Sequence, residues 1–247
     1  MTGLGYRREM ADWDMSAVAA DFFEVAPENW IRRDLAPLRQ LIDAGKPVHL
    51  HGVSLNLGGQ APINTEFLAE VRQLIDALGV TRYSDHLAAS GDAHQLYDLF
   101  PMPFTRSEAR RVADRIAQVQ DLLGRRIAVE NITWYTNIGE MSEADFVAEV
   151  VAMADCDLLL DLNNISVNHK NHAAGDLADY IGRIDLARVS YMHVAGHEFD
   201  ARFGLYIDTH SQPVEAPTAQ MARQLQRQHG IPILLEWDND VPDLATI

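Results

Sequence analysis

The sequence predicts an α/β protein of the (β/α)8 TIM-type barrel class, and three observations carry that expectation. The chain has 247 residues, close to the ~250 that an eight-fold barrel typically uses. Eight apolar runs of strand length recur along it. Between them lie segments with helical spacing, and alternation of this kind implies parallel strands joined by right-handed crossovers. Eight such units favour a closed barrel over a doubly wound open sheet, although spacing alone does not show closure.

The expected strands lie around Leu4–Tyr6, Phe22–Ala26, Val48–His51, Arg82–His86, Ile127–Asn131, Leu158–Leu162, Val189–Val194 and Ile233–Trp237. They are aliphatic or β-branched and bounded by Gly, Pro or Asn. One helix carries Phe67, Val71, Leu74, Ile75 and Leu78 on a single face and stops at Gly79, where a left-handed cap is expected. A second opens on Thr105-Arg-Ser-Glu108, which has capping-box spacing, and continues Val112, Ile116, Val119, Leu123. A third starts near Ser142 and runs through Phe146, Val150 and Met153. No linker, low-complexity tract or charge block divides the chain, so residues 1–247 read as a single barrel domain. Ile247 follows the last strand by about ten residues, and a closing helix needs roughly ten or more. The last helix is therefore expected to be short, missing or contributed otherwise, a native chain longer than this one being one source of it.

Lys plus Arg number 20 and Asp plus Glu 36, a formal charge of −16. That balance disfavours nucleic acid and anionic membrane surfaces as partners. No apolar run approaches the ~20 residues of a membrane helix, and no signal-like segment opens the chain, so a soluble cytoplasmic protein is expected. The one cysteine, Cys156, excludes an internal disulfide framework and a cysteine-rich zinc site. It precedes the sixth strand and reads as a buried structural thiol.

Barrels carry their chemistry at the C-terminal ends of the strands. In order, those ends offer His51, His86, Glu130, Asp161 with Asn163 and Asn164, His193, then Asp208 and His210, and Glu236. Any one of these alone reads as a hydrogen-bonded structural residue. Together they are metal-ligating in kind, since carboxylates crowded in one mouth require cations or shared protons. Imidazole and carboxylate donors suit Zn, Fe, Mn or Ni, and the lack of thiolates disfavours an iron–sulfur site. His49 and His51 are expected to alternate, His51 facing the barrel interior and His49 the helix layer. His94, His169, His172 and His197 fall in loops on the same end, where a solvated histidine is the plainer reading. His229, before Gly230, suits a helix C-terminus. Two segments add walls: Ala26-Pro-Glu-Asn-Trp30, with Glu28 and Asn29, and the aromatic loop Tyr97–Phe104, which either binds a peptide or covers the barrel end.

Several motifs together resemble one family. They are Gly3-Leu-Gly-Tyr-Arg7, Phe23-Glu-Val-Ala-Pro-Glu-Asn-Trp30, His49-Leu-His-Gly-Val-Ser-Leu-Asn56, Ser84-Asp-His-Leu87 and Val129-Glu-Asn131, then Asp161-Leu-Asn-Asn164, Met192-His-Val-Ala-Gly-His197 and Asp208-Thr-His-Ser211. In this order, across essentially the whole chain, they resemble the multinuclear non-haem iron-dependent oxidative enzymes, which include the methanobactin-biosynthesis oxidase. The resemblance implies a TIM barrel related to xylose isomerase and endonuclease IV. It further implies two or three iron ions of mixed Fe(II)/Fe(III) valence, with dioxygen as co-substrate.

By the same resemblance His51, His86 and Glu130 form one iron site, and Glu130 bridges to a second held by Asp161, His193 and Glu236. Asp208 and His210, with Asn164, form a third. Asn164 stands where endonuclease-like relatives have histidine, and an amide oxygen is the weaker, harder ligand. Glu130, Asp161 and His210 are read as the catalytic members. The implied reaction is oxidative modification of cysteine in a ribosomally made precursor peptide, presented by a leader-binding partner protein.

Two other readings use the same residues. A trinuclear zinc or manganese phosphodiesterase should display a basic groove, at odds with a charge of −16, and a sugar isomerase usually adds a catalytic lysine, where this chain has only Lys46 and Lys170. The third reading is a non-catalytic metal-bearing binding protein.

Overall fold

In the computed structural model, which describes residues 1–10, 12–15, 17–93, 98–136 and 139–243, eight parallel strands close into a barrel. They are β1 (Thr2–Gly5), β2 (Phe22–Val25), β3 (Val48–Gly52), β4 (Tyr83–His86), β5 (Ala128–Glu130), β6 (Asp157–Asp161), β7 (Val189–Val194) and, after a two-stranded insertion of β8 (Glu198–Asp200) and β9 (Leu205–Ile207), β10 (Ile233–Leu235). The barrel order is β1-β10-β7-β6-β5-β4-β3-β2. The outer helices are α1 (Ala36–Asp43), α2 (Thr65–Leu78), α3 (Arg106–Leu123), α4 (Glu143–Ala154), α5 (Leu162–His172), α6 (Leu177–Ile181) and α7 (Ala216–His229). Every strand expected from the sequence is present. Among the described residues no helix follows β10.

The helix ends follow local chemistry. Asn64 Oδ1 accepts from Phe67 N, Thr105 Oγ1 from Glu108 N and Ser142 Oγ from Asp145 N, while Gly79 and Gly124 close α2 and α3 at φ 63° and 67°. Glu108 forms no reciprocal cap. It turns to Arg111, whose Nε donates to it at 2.9 Å.

The strands stack their inward side chains in two layers. Phe22, Ala128, Leu159, Tyr191 and Leu234 form one apolar cluster inside the barrel, each adding about 1.5–3 kcal/mol of burial where the side chain is large. Two positions further on, the same strand face presents Glu24, Glu130, Asp161, His193 and Glu236, because side chains alternate with period two. That rule also corrects the expectation for β3. His49 and His51 are two apart and so face the same way: His49 stacks on Phe22 at 4.4 Å and meets Tyr191 at 5.3 Å inside the barrel, one layer below His51. In β1 the positions are glycines. A Cβ at Gly3 would lie 2.4 Å from the Phe22 ring, and one at Gly5 2.9 Å from the Arg7 guanidinium. The missing side chains let Phe22 fill the floor and Arg7 reach across the mouth. β1 thus begins earlier than hydropathy suggests, since its pairing with β2 and β10 overrides weak strand propensity.

Cys156 is fully buried, and burial pushes its thiol up to about 12, as befits a structural residue. The first residue of α4, Glu143, is also buried and accepts from Trp134 Nε1 and Asn168 Nδ2, each at 3.0 Å. Burial pushes its carboxyl up to about 7. The folded chain then binds a proton that the unfolded chain has released, so this group's contribution to stability falls as pH rises from about 4.5 to about 7. Glu143→Gln should therefore raise the thermal midpoint at pH 8 relative to its effect at pH 4, by the equivalent of about 3 kcal/mol at most. A substitution effect independent of pH in thermal melts would contradict this.

Candidate metal centre

Strand register brings the polar layer together. His51 lies opposite Ser84, His86 opposite Glu130, and Asp161 opposite His193. Glu130 is the meeting point. Its Oε2 is 2.9 Å from His51 Nε2 and 3.1 Å from His86 Nε2, while its Oε1 is 3.3 Å from His193 Nδ1. His193 Nδ1 is also 3.1 Å from Glu236 Oε2 and 3.8 Å from Asp161 Oδ2. Glu236 Oε2 in turn lies 3.4 Å from His210 Nδ1, which is 3.2 Å from Asp238 Oδ2. Among the described residues three groups bring their donor atoms within 4.8 Å of one another, close enough to hold a metal ion: His51, His86, Glu130; Glu130, Asp161, His193, Glu236; and His210, Glu236, Asp238.

Hydrogen bonds behind these side chains set which ring nitrogens carry protons. His86 Nδ1 lies 2.9 Å from Gly52 O, which only accepts, so Nδ1 is protonated and Nε2 presents a lone pair. Tyr191 gives its proton to Glu24 Oε2 at 2.5 Å, and burial with Glu24 raises its hydroxyl well above the ordinary value. Ser84 Oγ therefore donates to Tyr191 Oη at 2.8 Å and accepts from His51 Nδ1 at 2.9 Å. In that neutral tautomer His51 Nε2 carries the lone pair, although against burial Glu130 raises this imidazole to about 9. His193 Nε2 donates to Glu24 Oε2 at 3.2 Å, which turns the Nδ1 lone pair toward Glu130 and Glu236. Glu24 thus orients both imidazoles, the outer role that carboxylates commonly fill behind metal-bound histidine.

In these neutral tautomers a lone pair faces a carboxylate oxygen at hydrogen-bond distance, and a cation or a second proton must fill the gap. Glu130 Oε2, Asp161 Oδ2, His193 Nδ1 and His210 Nε2 are buried without a hydrogen-bond partner among the described residues. Such an arrangement is costly unless a cation sits within it. Charge balance makes the same demand. Burial opposes a proton on His193, yet Glu24, Glu236 and Glu130 outweigh burial and raise it well above the ordinary value. His210 is raised likewise by Asp208 and Glu236 against burial. Burial, Glu130 and Asp208 together hold Asp161 protonated well above the usual carboxylate range. The donor set and its orphaned atoms fit divalent or trivalent transition ions.

Asp161 has a second duty. Its Oδ1 caps α5 by accepting from Asn164 N at 2.6 Å, leaving Oδ2 for the centre.

The structure distributes the remaining expected residues unevenly. Asp208 meets His210, its Oδ1 lying 2.8 Å from Nε2. Asn164 does not join them. Its Oδ1 accepts from Thr133 Oγ1 at 2.6 Å and its Nδ2 donates to Asn131 O at 2.9 Å, so its amide serves the loop after β5. The neighbouring Asn163 takes that place, donating to Asp208 Oδ1 at 2.6 Å and accepting from His197 Nδ1 at 2.7 Å. His197 Nε2 receives Lys170 Nζ at 2.7 Å, and Lys170 also pairs with Glu215 at 2.5 Å. His210 itself adopts φ 49°, a strained backbone for a non-glycine residue, held by His210 N to Gly196 O and by Asp238 N to His210 O.

His172 stacks on Trp134 at 4.2 Å, and His169 Nδ1 donates to Ala174 O at 2.6 Å. Glu28 Oε1 accepts from Val53 N at 2.9 Å, supporting the loop after β3. His94 and Tyr97 lie outside the described residues, while Phe104 packs on Trp134 and Phe146.

Three residues escaped the strand-end reading. Glu24 is a charge inside the apolar run Phe22–Val25, two positions past a floor residue, and that signal was available. Arg7 and Asp238 were not legible in this way. Arg7 Nη2 donates to Glu236 Oε1 at 2.8 Å and Nε to Asp238 Oδ1 at 2.5 Å, a contact across 231 residues.

Comparison with known proteins agrees with this picture. A family model described as RiPP precursor modification enzyme MbnB/TglH/ChrH matches residues 1–247. The chain is similar to a UPF0276 protein of Nitrosospira multiformis, with 43% identity over 252 residues covering 99% of this chain and 88% of the relative. It is similar to another from Pseudomonas aeruginosa, with 42% identity, 99% and 88% coverage. Among solved structures, a D-psicose 3-epimerase superposes with a TM-score of 0.66 at 12% identity, covering 99% of this chain and 89% of that one. Endonuclease IV from Thermus thermophilus gives 0.62 at 20% identity, covering 98% and 92%. At such identities the likeness to these structures is one of fold.

Proposed function

The chain belongs to the MbnB/TglH/ChrH family of RiPP precursor modification enzymes, and from that premise we propose that it is a multinuclear iron-dependent oxidase of cysteine in a ribosomally made precursor peptide. Dioxygen is the electron acceptor in this reading, and a leader-binding partner protein presents the peptide. The observation that carries it is the run of three donor groups linked through Glu130 and Glu236. His51, His86 and Glu130 would hold one iron, Glu130, Asp161, His193 and Glu236 a second, and His210, Glu236 and Asp238, with Asp208 beside them, a third. Iron held there supplies one-electron chemistry and a Lewis-acidic place for the substrate thiolate.

The protein's own residues do the positioning. Glu24 fixes the tautomers, through Tyr191 and Ser84 for His51 and directly for His193, in which Nε2 of the first and Nδ1 of the second carry the lone pairs. Arg7 ties Glu236 Oε1, so that Oε2 is the oxygen turned to the two imidazoles. The floor of Phe22, Leu159 and Leu234, each fully buried, excludes water from below. Substrate approach is left to the strand-end side, where His86 and His210 keep partial exposure, 15% and 13%.

Co-expression with a neighbouring cysteine-bearing peptide and its candidate partner tests the reading by mass spectrometry. The expected result is a peptide mass change that requires iron, dioxygen and His86. An unchanged peptide together with zinc-dependent phosphodiester cleavage by the same preparation would assign the centre to the endonuclease-like chemistry instead.

A further inference from the structure

We propose that the cavity between α4, α5 and α6 is a second binding site, one that takes an ammonium or guanidinium group on an apolar stem, with Glu143 and Tyr180 holding the charged head. The cavity measures about 520 Å³ and is lined by Phe104, Trp134, Ile165, Glu143 and Tyr180, among others. None of the metal-centre donors lines it, and Asn168 Nδ2 ties it to the segment that leaves Glu130, donating both to Ile132 O and to Glu143 Oε2.

The chemistry of the lining selects the ligand. Glu143 is a buried carboxyl whose two bonds come from the neutral donors Trp134 Nε1 and Asn168 Nδ2, and no cation pairs with it among the described residues. Tyr180 is 4% exposed, and its hydroxyl is buried with no hydrogen-bond partner among the described residues. A buried acid and an unpaired hydroxyl in one aromatic-walled space meet the needs of a cation that donates several hydrogen bonds. Arg183 lies at the rim but is bound to Asp145 by two contacts of 2.9 and 3.0 Å, so it leaves the carboxyl free. Asp179 adds a second acid to the lining. An anionic ligand would meet two carboxyls and a chain of charge −16. A cation on an alkyl or aryl stem satisfies both the head groups and the walls of Trp134, Phe104 and Ile165.

Two sources supply such a group: a basic side chain of a peptide, or a free alkylamine. The site stands independently of the oxidase reading, because the measurement is binding. Calorimetric titration of the intact protein with n-pentylammonium, 1-pentanol and pentanoate compares three heads on one stem. N-acetyl-lysine methylamide and its Nε-acetylated form then separate the sources. Saturable ammonium binding is expected, at least about tenfold tighter than for the alcohol or the carboxylate. Glu143→Gln, which keeps an oxygen for Trp134 and Asn168, should weaken it by about tenfold or more, and Tyr180→Phe by a few-fold. Tighter binding of the lysine amide than of free n-pentylammonium, abolished by Nε-acetylation, supports a peptide side chain; the reverse order supports a free amine. Equal binding of 1-pentanol, unchanged affinity in folded Glu143→Gln protein, or no saturable ammonium binding overturns the proposal. A protein that binds n-pentylammonium but modifies no peptide would retain this site and lose the oxidase reading.

Discussion

Glu130→Gln protein, purified without oxygen, is expected to carry about one equivalent of metal or less, well below the wild-type content. Glu130 is the only side chain shared by the first two donor groups, so the substitution takes a ligand from both. Gln retains the shape but offers one neutral oxygen where a carboxylate offers two charged ones. Loss of an outer partner alone costs 10–100-fold in affinity, and a shared ligand should cost more. The metal-free fold loses the counter-charge to His51, His86 and His193, so its thermal midpoint should fall as well. Metal content by elemental analysis, with a thermal melt of the metal-free protein, separates the two effects. A variant that keeps the full complement would sink the ligand assignment.

Gly196→Ala is expected to be strongly destabilising. A Cβ there would lie 1.9 Å from the carbonyl oxygen of Gln212 and 2.3 Å from its carbon. Both are backbone atoms, so no side-chain rotation relieves the overlap. The two segments are also tied directly: His210 N donates to Gly196 O, and Asp238 N to His210 O. Displacing one displaces the loop that carries Asp208 and His210. The cost should reach about 3–5 kcal/mol, a fall of ~10 °C or more in the thermal midpoint for a chain of this size. Gly182→Ala is the control, since its Cβ would come no nearer than 3.3 Å to any neighbour and its φ is −66°. Equal midpoints for the two variants would refute the close approach.

Much of the barrel and of the centre was legible in the linear chain. Strand runs, helix faces and caps are local properties, and Asn64, Thr105, Ser142, Gly79 and Gly124 act through partners within a few residues. The polar strand ends His51, His86, Glu130, Asp161, His193 and Glu236 stood out because a barrel gathers such ends in one place. The period-two rule was available too, and applied to Phe22 it points to Glu24, as applied to His51 it places His49 inside. The β8–β9 ribbon was not legible: its strands have three residues each, too short for alternation to register.

What the sequence determined by itself was the set of donors and the kind of scaffold that collects them, since both follow from residue type and from periodicities of two and 3.6. The tertiary structure alone decided how those donors are shared. That Asn163 rather than Asn164 faces Asp208 depends on one residue's rotation at the start of α5, fixed when Asp161 caps that helix. That Arg7 reaches Glu236 and Asp238 depends on β1 closing the barrel against β10. The protonated faces of His51 and His193 depend on Glu24 receiving Tyr191 and His193 from across the barrel. Each is a contact between residues far apart in the chain, where no local preference operates and only the closed packing sets the distance.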